Sequence, residues 1–262
     1  EILVVGLDEP GLVRVSDRVR FISTGRPVSP ARARNIGAAS ATGRILIFLD
    51  ADCIPSPGWL KEMLAASDRW KDAGAISGSM LPDGRNYASQ TFQIACFHEH
   101  LSLNKPGCRR LLASFSLLIT REVWEKTGGF CPDLQIAEDV DLSVRLQKMG
   151  YPLYLASRAT VRHLHGRDTL SRLWHYATES GRHSIRVRLR HQDWFGYLPA
   201  SAWFWRLFAP AVALVRTVQI YRLTPGLLHF WVYFPYVLLS KLGWCIGAAR
   251  GIEESAADKN EE

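Results

Sequence analysis

The chain has 262 residues, of which 47% are hydrophobic and 22% charged. That size and balance exclude a small peptide scaffold and a disordered chain, and a mean hydropathy of -0.04 excludes a multi-span transporter. The net charge of +7 is unevenly placed: residues 1–167 carry 21 basic and 17 acidic side chains, residues 168–250 carry 10 and 3, and residues 251–262 carry 1 and 5.

The sequence begins with a β-prone run, Ile2-Leu3-Val4-Val5, and a second short strand is expected over Arg20-Phe21-Ile22-Ser23. A helix follows over about 29–41, with Pro30 in its first turn and Gly43 closing it. Arg44-Ile45-Leu46-Ile47-Phe48-Leu49 has almost no polar interruption and predicts a fully buried strand of a parallel sheet. A helix over about 57–70 and a strand over 74–78 continue a strand-helix-strand alternation. Further strands are expected over 114–120, 152–156 and 159–164, with helices over 121–127 and about 138–149 between them.

The α/β part is expected to end near residue 168. Beyond it, residues 169–252 form a basic and aromatic helical segment, and the apolar stretch 226–249 is long enough for a transmembrane or interfacial helix. Residues 253–262 are expected to form an acidic disordered tail. Basic charge interleaved with Trp194, Trp203, Trp205, Trp231 and Trp244 suits anionic lipid rather than nucleic acid, for which no recognition motif is present. The five cysteines include no C-x-x-C pair, so neither a disulfide framework nor a zinc site is indicated, and a reducing compartment fits.

Asp50 and Asp52 follow directly on the apolar strand, where α/β proteins place ligand sites, and two carboxylates there suit Mg²⁺ or Mn²⁺ together with a phosphate. Glu138, Asp139 and Asp141 stand at a helix start, where capping and the helix dipole favour acids; a general base is the alternative, and spacing leaves both open. His163 and His165 alternate at a strand end and would face opposite sides if the strand persists. No P-loop, G-x-G-x-x-G or G-x-S-x-G motif is present.

The blocks Ala33-Arg34-Asn35-Ile36-Gly37 with Ala41-Thr42-Gly43, Ile47-Phe48-Leu49-Asp50-Ala51-Asp52, Thr120-Arg121-Glu122-Val123-Trp124 with Gly128-Gly129-Phe130, and Ala137-Glu138-Asp139-Val140-Asp141-Leu142 together resemble glycosyltransferase family 2 over residues 1–168. The resemblance implies a GT-A, Rossmann-like, mostly parallel sheet sandwiched by helices, followed by the membrane-associated helical segment. It implies metal-dependent transfer of a sugar, with inversion, from a UDP-, GDP- or dTDP-linked donor to a glycan or lipid-linked acceptor. Asp50 and Asp52 correspond to the Asp-x-Asp motif at the ribose and metal-bound diphosphate, and Asp139 to the general base. His163 is a further metal contact, with His165 as its alternate, and Arg34, Glu138 and Asp8 belong to the nucleotide-sugar site.

The family's first strand and helix are not found before Glu1, so the chain is expected to start inside the domain. No Gln-x-x-Arg-Trp motif follows the histidines, which favours single-sugar transfer over polymerisation. Cell envelope polysaccharide synthesis at the inner membrane, with the catalytic part on the cytoplasmic side, is the setting this implies. The rivals are a non-catalytic GT-A-like protein that binds a nucleotide-sugar or a partner, and a binding module driven by the basic tail.

Overall fold

The computed structural model describes residues 1–258. The N-terminal two-thirds runs β1 (Ile2–Gly6), β2 (Val19–Ser23), α1 (Pro30–Ser40), β3 (Ile45–Leu49), β4 (Cys53–Pro55), α2 (Trp59–Arg69), β5 (Ala75–Met80), α3 (Tyr87–Phe97), β6 (Gly107–Arg109), β7 (Ser116–Thr120), α4 (Arg121–Thr127), α5 (Glu138–Lys148) and β8 (Leu153–His163). The remainder is helical: α6 (Leu170–Arg190), α7 (Gln192–Phe195), α8 (Ala202–Leu207), α9 (Ala209–Leu223), a 3-10 segment (Pro225–Tyr233) and α10 (Phe234–Asp258).

The expected α/β class stands, with a central sheet flanked by helices, but the pairing departs from a mostly parallel sheet. The six-stranded sheet has the order β3-β7-β5-β8-β4, with β6 also on β8. Strands β3, β5 and β8 do run the same way, as helix crossovers require, yet β7 lies antiparallel between β3 and β5. Strand β8 is long enough to carry β6 against Leu153–Leu155 and β4 against Val161–His163, both antiparallel. It is one strand where two were expected. β1 and β2 form a separate parallel pair.

Strand β3 was expected to be fully buried, and instead it ends the six-stranded sheet, with Ile45 and Leu49 exposed and Leu46 buried. An edge position leaves one flank of an apolar strand without a neighbour, and sequence hydrophobicity does not report that. Helix α3 falls in a segment with no expected element. Its residues Ala88 to Ala95 are all buried, so it has no polar face to generate a helical period.

The C-terminal helices pack into the same body. Ile220, Tyr221, Leu227 and Val237 share one apolar cluster with Cys53, Met80, Phe115 and Val161 of the sheet region. Helices α6 and α10 approach so closely that a Cβ on Gly247 would collide with the Thr178 carbonyl, and one on Gly251 with the Arg182 carbonyl. The apolar stretch expected as one helix over 226–249 is divided between the 3-10 segment and α10. The acidic end is also ordered further than expected: α10 continues to Asp258, held by Arg206 on Glu253 (2.6 Å) and Arg182 on Glu254 (3.2 Å). Residues 259–262 of that expected tail lie outside the described residues.

Candidate active site

The carboxyl ends of β3, β5 and β8 meet at one edge of the sheet, and the candidate residues gather there. The Asp50 amide donates to the Phe115 carbonyl (3.0 Å), and the Cys53 amide donates back to the Asp50 carbonyl (2.9 Å), so the chain turns sharply after β3. It then enters β4, whose register sets Cys53 opposite His163. That pairing brings Asp52 to His163, with Oδ1 3.0 Å from Nε2. The two aspartates, one residue apart, are therefore drawn to different partners.

Asp50 belongs to a charge network built on α1. Pro30 and the Ser29 hydroxyl, which accepts from the Arg32 amide (3.3 Å), start that helix and present Arg34 to the sheet edge. Arg34 donates through Nη2 to Asp50 Oδ1 (2.6 Å) and through Nη1 to Glu138 Oε1 (2.7 Å), while Ser114 Oγ donates to the same Glu138 oxygen (3.2 Å). Burial works against the Arg34 charge, but attraction from Asp50 and Glu138 outweighs it and raises its proton affinity. Its guanidinium also lies 5.3 Å from the centre of the Phe130 ring.

The neighbouring Asn35 exchanges two hydrogen bonds with the Phe130 backbone, at 2.8 and 3.0 Å. Gly129, at φ 72°, leaves room for them, since a Cβ there would press on Asn35 Oδ1 and the Trp124 ring. The separated sequence blocks thus meet as hydrogen-bonded partners.

Helix α5 begins at Ala137, a non-glycine residue at φ 67°, a backbone strain set beside three acids. Their roles separate cleanly. Asp141 is buried and structural, accepting from Arg145 Nε (2.8 Å) and paired with His191 Nε2 (2.8 Å). Burial alone would raise its pKa, but those bonds win and hold it below the ordinary carboxylate value. Glu138 is spoken for by Arg34 and Ser114. Among the described residues Asp139 accepts only from backbone, from Val140 N at 2.8 Å and the amide of Ser114. Burial, followed by the negative charge of Glu138, pushes its carboxyl up to about 7, the range that suits a general base at neutral pH.

Asp52, Cys53 and His163 bring three potential ligand atoms within 4.8 Å of one another. Burial and the charges of Asp50 and Asp52 drive the Cys53 thiol far up, which leaves a carboxylate oxygen and an imidazole nitrogen as the donors. The hydrogen bond to His163 leads the effects that hold Asp52 below its usual value. His163 Nδ1 and His165 Nε2 are buried without a hydrogen-bond partner among the described residues. A carboxylate, an imidazole and orphaned ring nitrogens fit a small divalent ion such as Mn²⁺ or Mg²⁺.

His163 and His165 do not take opposite sides. β8 ends at His163, so the alternation is lost, and the two rings lie 5.6 Å apart. Burial, and then the neighbouring His163, lower His165 to about 4 and keep it neutral. Asp50 is near enough for its charge to act on Cys53 but is not among the potential ligands, its carboxylate being paired with Arg34. Asp8 is apart from this group: its two oxygens accept from the Leu12 and Val13 amides (2.8 and 2.7 Å), and no ion pair joins it to the other candidates among the described residues.

Two residues escaped the sequence reading. Ser114 supports both Glu138 and Asp139, and only its place just before β7 marked it. Arg167 stacks on Phe92 (5.1 Å) and Tyr176 (4.7 Å), its charge lowers Asp52, and it has no carboxylate partner among the described residues. A basic residue two places after His165 was the available signal.

Residues 12–123 match the family model described as glycosyl transferase family 2. The chain is 29% identical over 175 residues to the pre-mycofactocin glycosyltransferase of Mycobacterium tuberculosis, covering 63% of this chain and 36% of that protein. It is 27% identical over 167 residues to the O-antigen biosynthesis protein RfbC of Myxococcus xanthus, covering 57% of this chain and 13% of that protein. Against these curated relatives the chain spans about a third of their length or less. Among solved structures, the mannosyltransferase PcManGT of Pyrobaculum calidifontis, in complex with GDP-Man and Mn²⁺, aligns at 16% identity and a TM-score of 0.49 over 92% of this chain and 58% of that one.

Proposed function

We propose that the chain is a member of glycosyl transferase family 2, whose model matches residues 12–123, and that it transfers a sugar from a nucleotide-sugar donor to an acceptor hydroxyl with inversion, using a divalent metal. The observation that carries this reading is the elevated carboxyl of Asp139, held beside the Arg34 network at the edge where Asp52 and His163 converge. Asp139 accepts the proton of the acceptor hydroxyl as that oxygen attacks the anomeric carbon from the face opposite the departing diphosphate. Glu138 keeps the Asp139 carboxyl basic by charge and, through Arg34, ties the start of α5 to Asp50 at the end of β3.

Asp52 and His163 would hold the metal, with His165 beside them, and when bound it supplies positive charge to the leaving diphosphate. Arg167 adds a fixed cation on the same side. Asp50, braced by Arg34, is assigned to the nucleotide ribose, and Asp8 to the base. The acceptor is a glycan or lipid-linked glycan, and the setting is the cytoplasmic side of the inner membrane; the apolar helix within residues 225–257 supports membrane association.

The test is nucleotide release from UDP-, GDP- and dTDP-sugars with Mn²⁺ or Mg²⁺ and with EDTA. Metal-dependent release from one donor, lost in Asp52→Asn, is expected. Binding of a donor without release under any metal or acceptor would support a non-catalytic protein instead.

A further inference from the structure

The C-terminal helices expose a run of large apolar side chains over residues 203–232. Trp203 and Leu207 of α8, Phe208, Leu214, Val215, Val218 and Leu223 along α9, and Leu228, Trp231 and Val232 of the 3-10 segment are all exposed, Leu223 and Trp231 by about 70%. Helix α9 buries Ala213, Thr217, Ile220 and Tyr221 against the protein, so the opposite side, where a surface helix ordinarily places polar residues, is apolar. Exposed apolar residues on the outer side of a helix and on the two segments that flank it in the chain point to a docking surface.

The charge of the region identifies what it meets. No Asp or Glu occurs from residue 194 to residue 252, whereas Arg206, Arg216 and Arg222 stand among the apolar residues. Arg206 pairs with Glu253, but Arg216 and Arg222 have no carboxylate partner among the described residues. Exposed tryptophans among apolar residues, beside arginines with no carboxylate partner, are complementary to the acyl and headgroup layers of an anionic bilayer.

The one stretch among the described residues that is long and apolar enough to cross a membrane, Pro225–Ala257, runs through the 3-10 segment into α10, and its α10 part is committed elsewhere. Helix α10 lies against α6 through the Gly247 and Gly251 seam, and α6 carries Arg172, Glu179, Arg182, Arg186, Arg188 and Arg190. Lys241, midway along α10, donates to the Ala95 carbonyl of α3 (2.6 Å). To span a bilayer, α10 would have to leave a charged partner helix and carry an ammonium into lipid.

We propose that α8, α9 and the 3-10 segment form a monotopic docking face for an anionic lipid bilayer, with α10 remaining inside the protein. The buried side of α9 belongs to the same apolar cluster as Cys53 and Val161, which neighbour Asp52 and His163, so the docking face and the transfer site share one packed core. This deepens the reading of a membrane acceptor given above, and rests on that reading only for what the docking delivers.

The experiment is flotation of the full chain with phosphatidylcholine vesicles, with and without phosphatidylglycerol, alongside nucleotide release measured without vesicles. The wild type is expected to float with the anionic vesicles and to lose that binding as salt rises. The double variant Leu214→Ser with Val218→Ser should bind about a hundredfold more weakly, since each loses most of a buried apolar side chain's transfer energy, while its circular dichroism and vesicle-free nucleotide release stay unchanged. Arg216→Gln with Arg222→Gln should lose the preference for anionic vesicles and keep the fold.

No flotation of the wild type with either vesicle overturns the proposal, as does undiminished flotation of the serine variant. A concentration-dependent dimer that the serine variant abolishes, without vesicle binding, would assign the face to a second copy and overturn it too. Absence of nucleotide release with flotation intact would overturn the transferase reading and leave the docking face standing.

Discussion

Asp50 and Asp52 are one residue apart on the same strand exit, yet their surroundings are opposites. Asp50 sits in a closed network in which Arg34 satisfies both it and Glu138 at 2.6 and 2.7 Å. Asp52 sits in an open corner, half exposed, beside two histidines whose buried Nδ1 and Nε2 atoms have no partner among the described residues. A closed network of buried charges braces a structure, because removing one member strands the others. An open corner with unmet donors retains capacity for a ligand. On the proposed reading Asp52 faces the metal, while Asp50 meets the ribose from a position fixed by Arg34, although the motif that contains them is symmetric.

The largest effect that sharpens this contrast belongs to Asp139, which abuts the closed network but is not neutralised by it. Asp139→Asn should lower turnover by about 10²–10⁴-fold with donor binding retained, measured by steady-state release and by titration with the donor. The same variant should raise stability at pH 8. The folded carboxyl titrates near 7, well above an unfolded aspartate, so its contribution favours folding at low pH and is lost as pH rises towards 7. Removing it should stabilise by on the order of 2 kcal/mol in urea unfolding. A variant that is inactive and less stable at pH 8 would break the assignment of a strained base.

Next in size is Arg34→Met, which strands two carboxylates and should destabilise by about 3 kcal/mol, whereas Asp52→Asn should change stability by less than about 1 kcal/mol while abolishing the response to metal. Equal losses of stability from the two would erase the distinction between brace and corner. A smaller effect is expected in the pH profile. Wild-type release should climb with pH and level off above about 7, and Glu138→Gln, by removing the negative neighbour, should move that rise to lower pH. The smallest is Ala137→Gly, which relieves a left-handed alanine but loosens the unfolded chain, for a net change within about 1 kcal/mol.

Much of the site was legible before the fold. Apolar residues 44–49 ending in Asp50-Ala51-Asp52, and the acids that open α5, name their positions because strand exits and helix starts are written in local pattern. What local pattern omits is partnership. Nothing in the spacing of Glu138, Asp139 and Asp141 says that Arg34, Asp139's own burial and His191 would give the three acids three different fates. Ser114 and Arg167 were missed for the same reason: a hydroxyl and a guanidinium become functional only through what packs beside them.

The sequence by itself determined most of the strands and helices before residue 168, though not β4, α3 or β6, together with the strand exit at which the acids emerge and the charge asymmetry of the C-terminal helices, since each follows from periodicity, turn residues or composition along the chain. Only the tertiary structure decided that β7 runs antiparallel between β3 and β5, that the histidines converge where β8 ends, and that α10 packs on α6 while the apolar side of α9 faces outward. Those outcomes depend on which surfaces meet across long separations in the chain, and the free energy of such contacts is shared between partners that no local window contains.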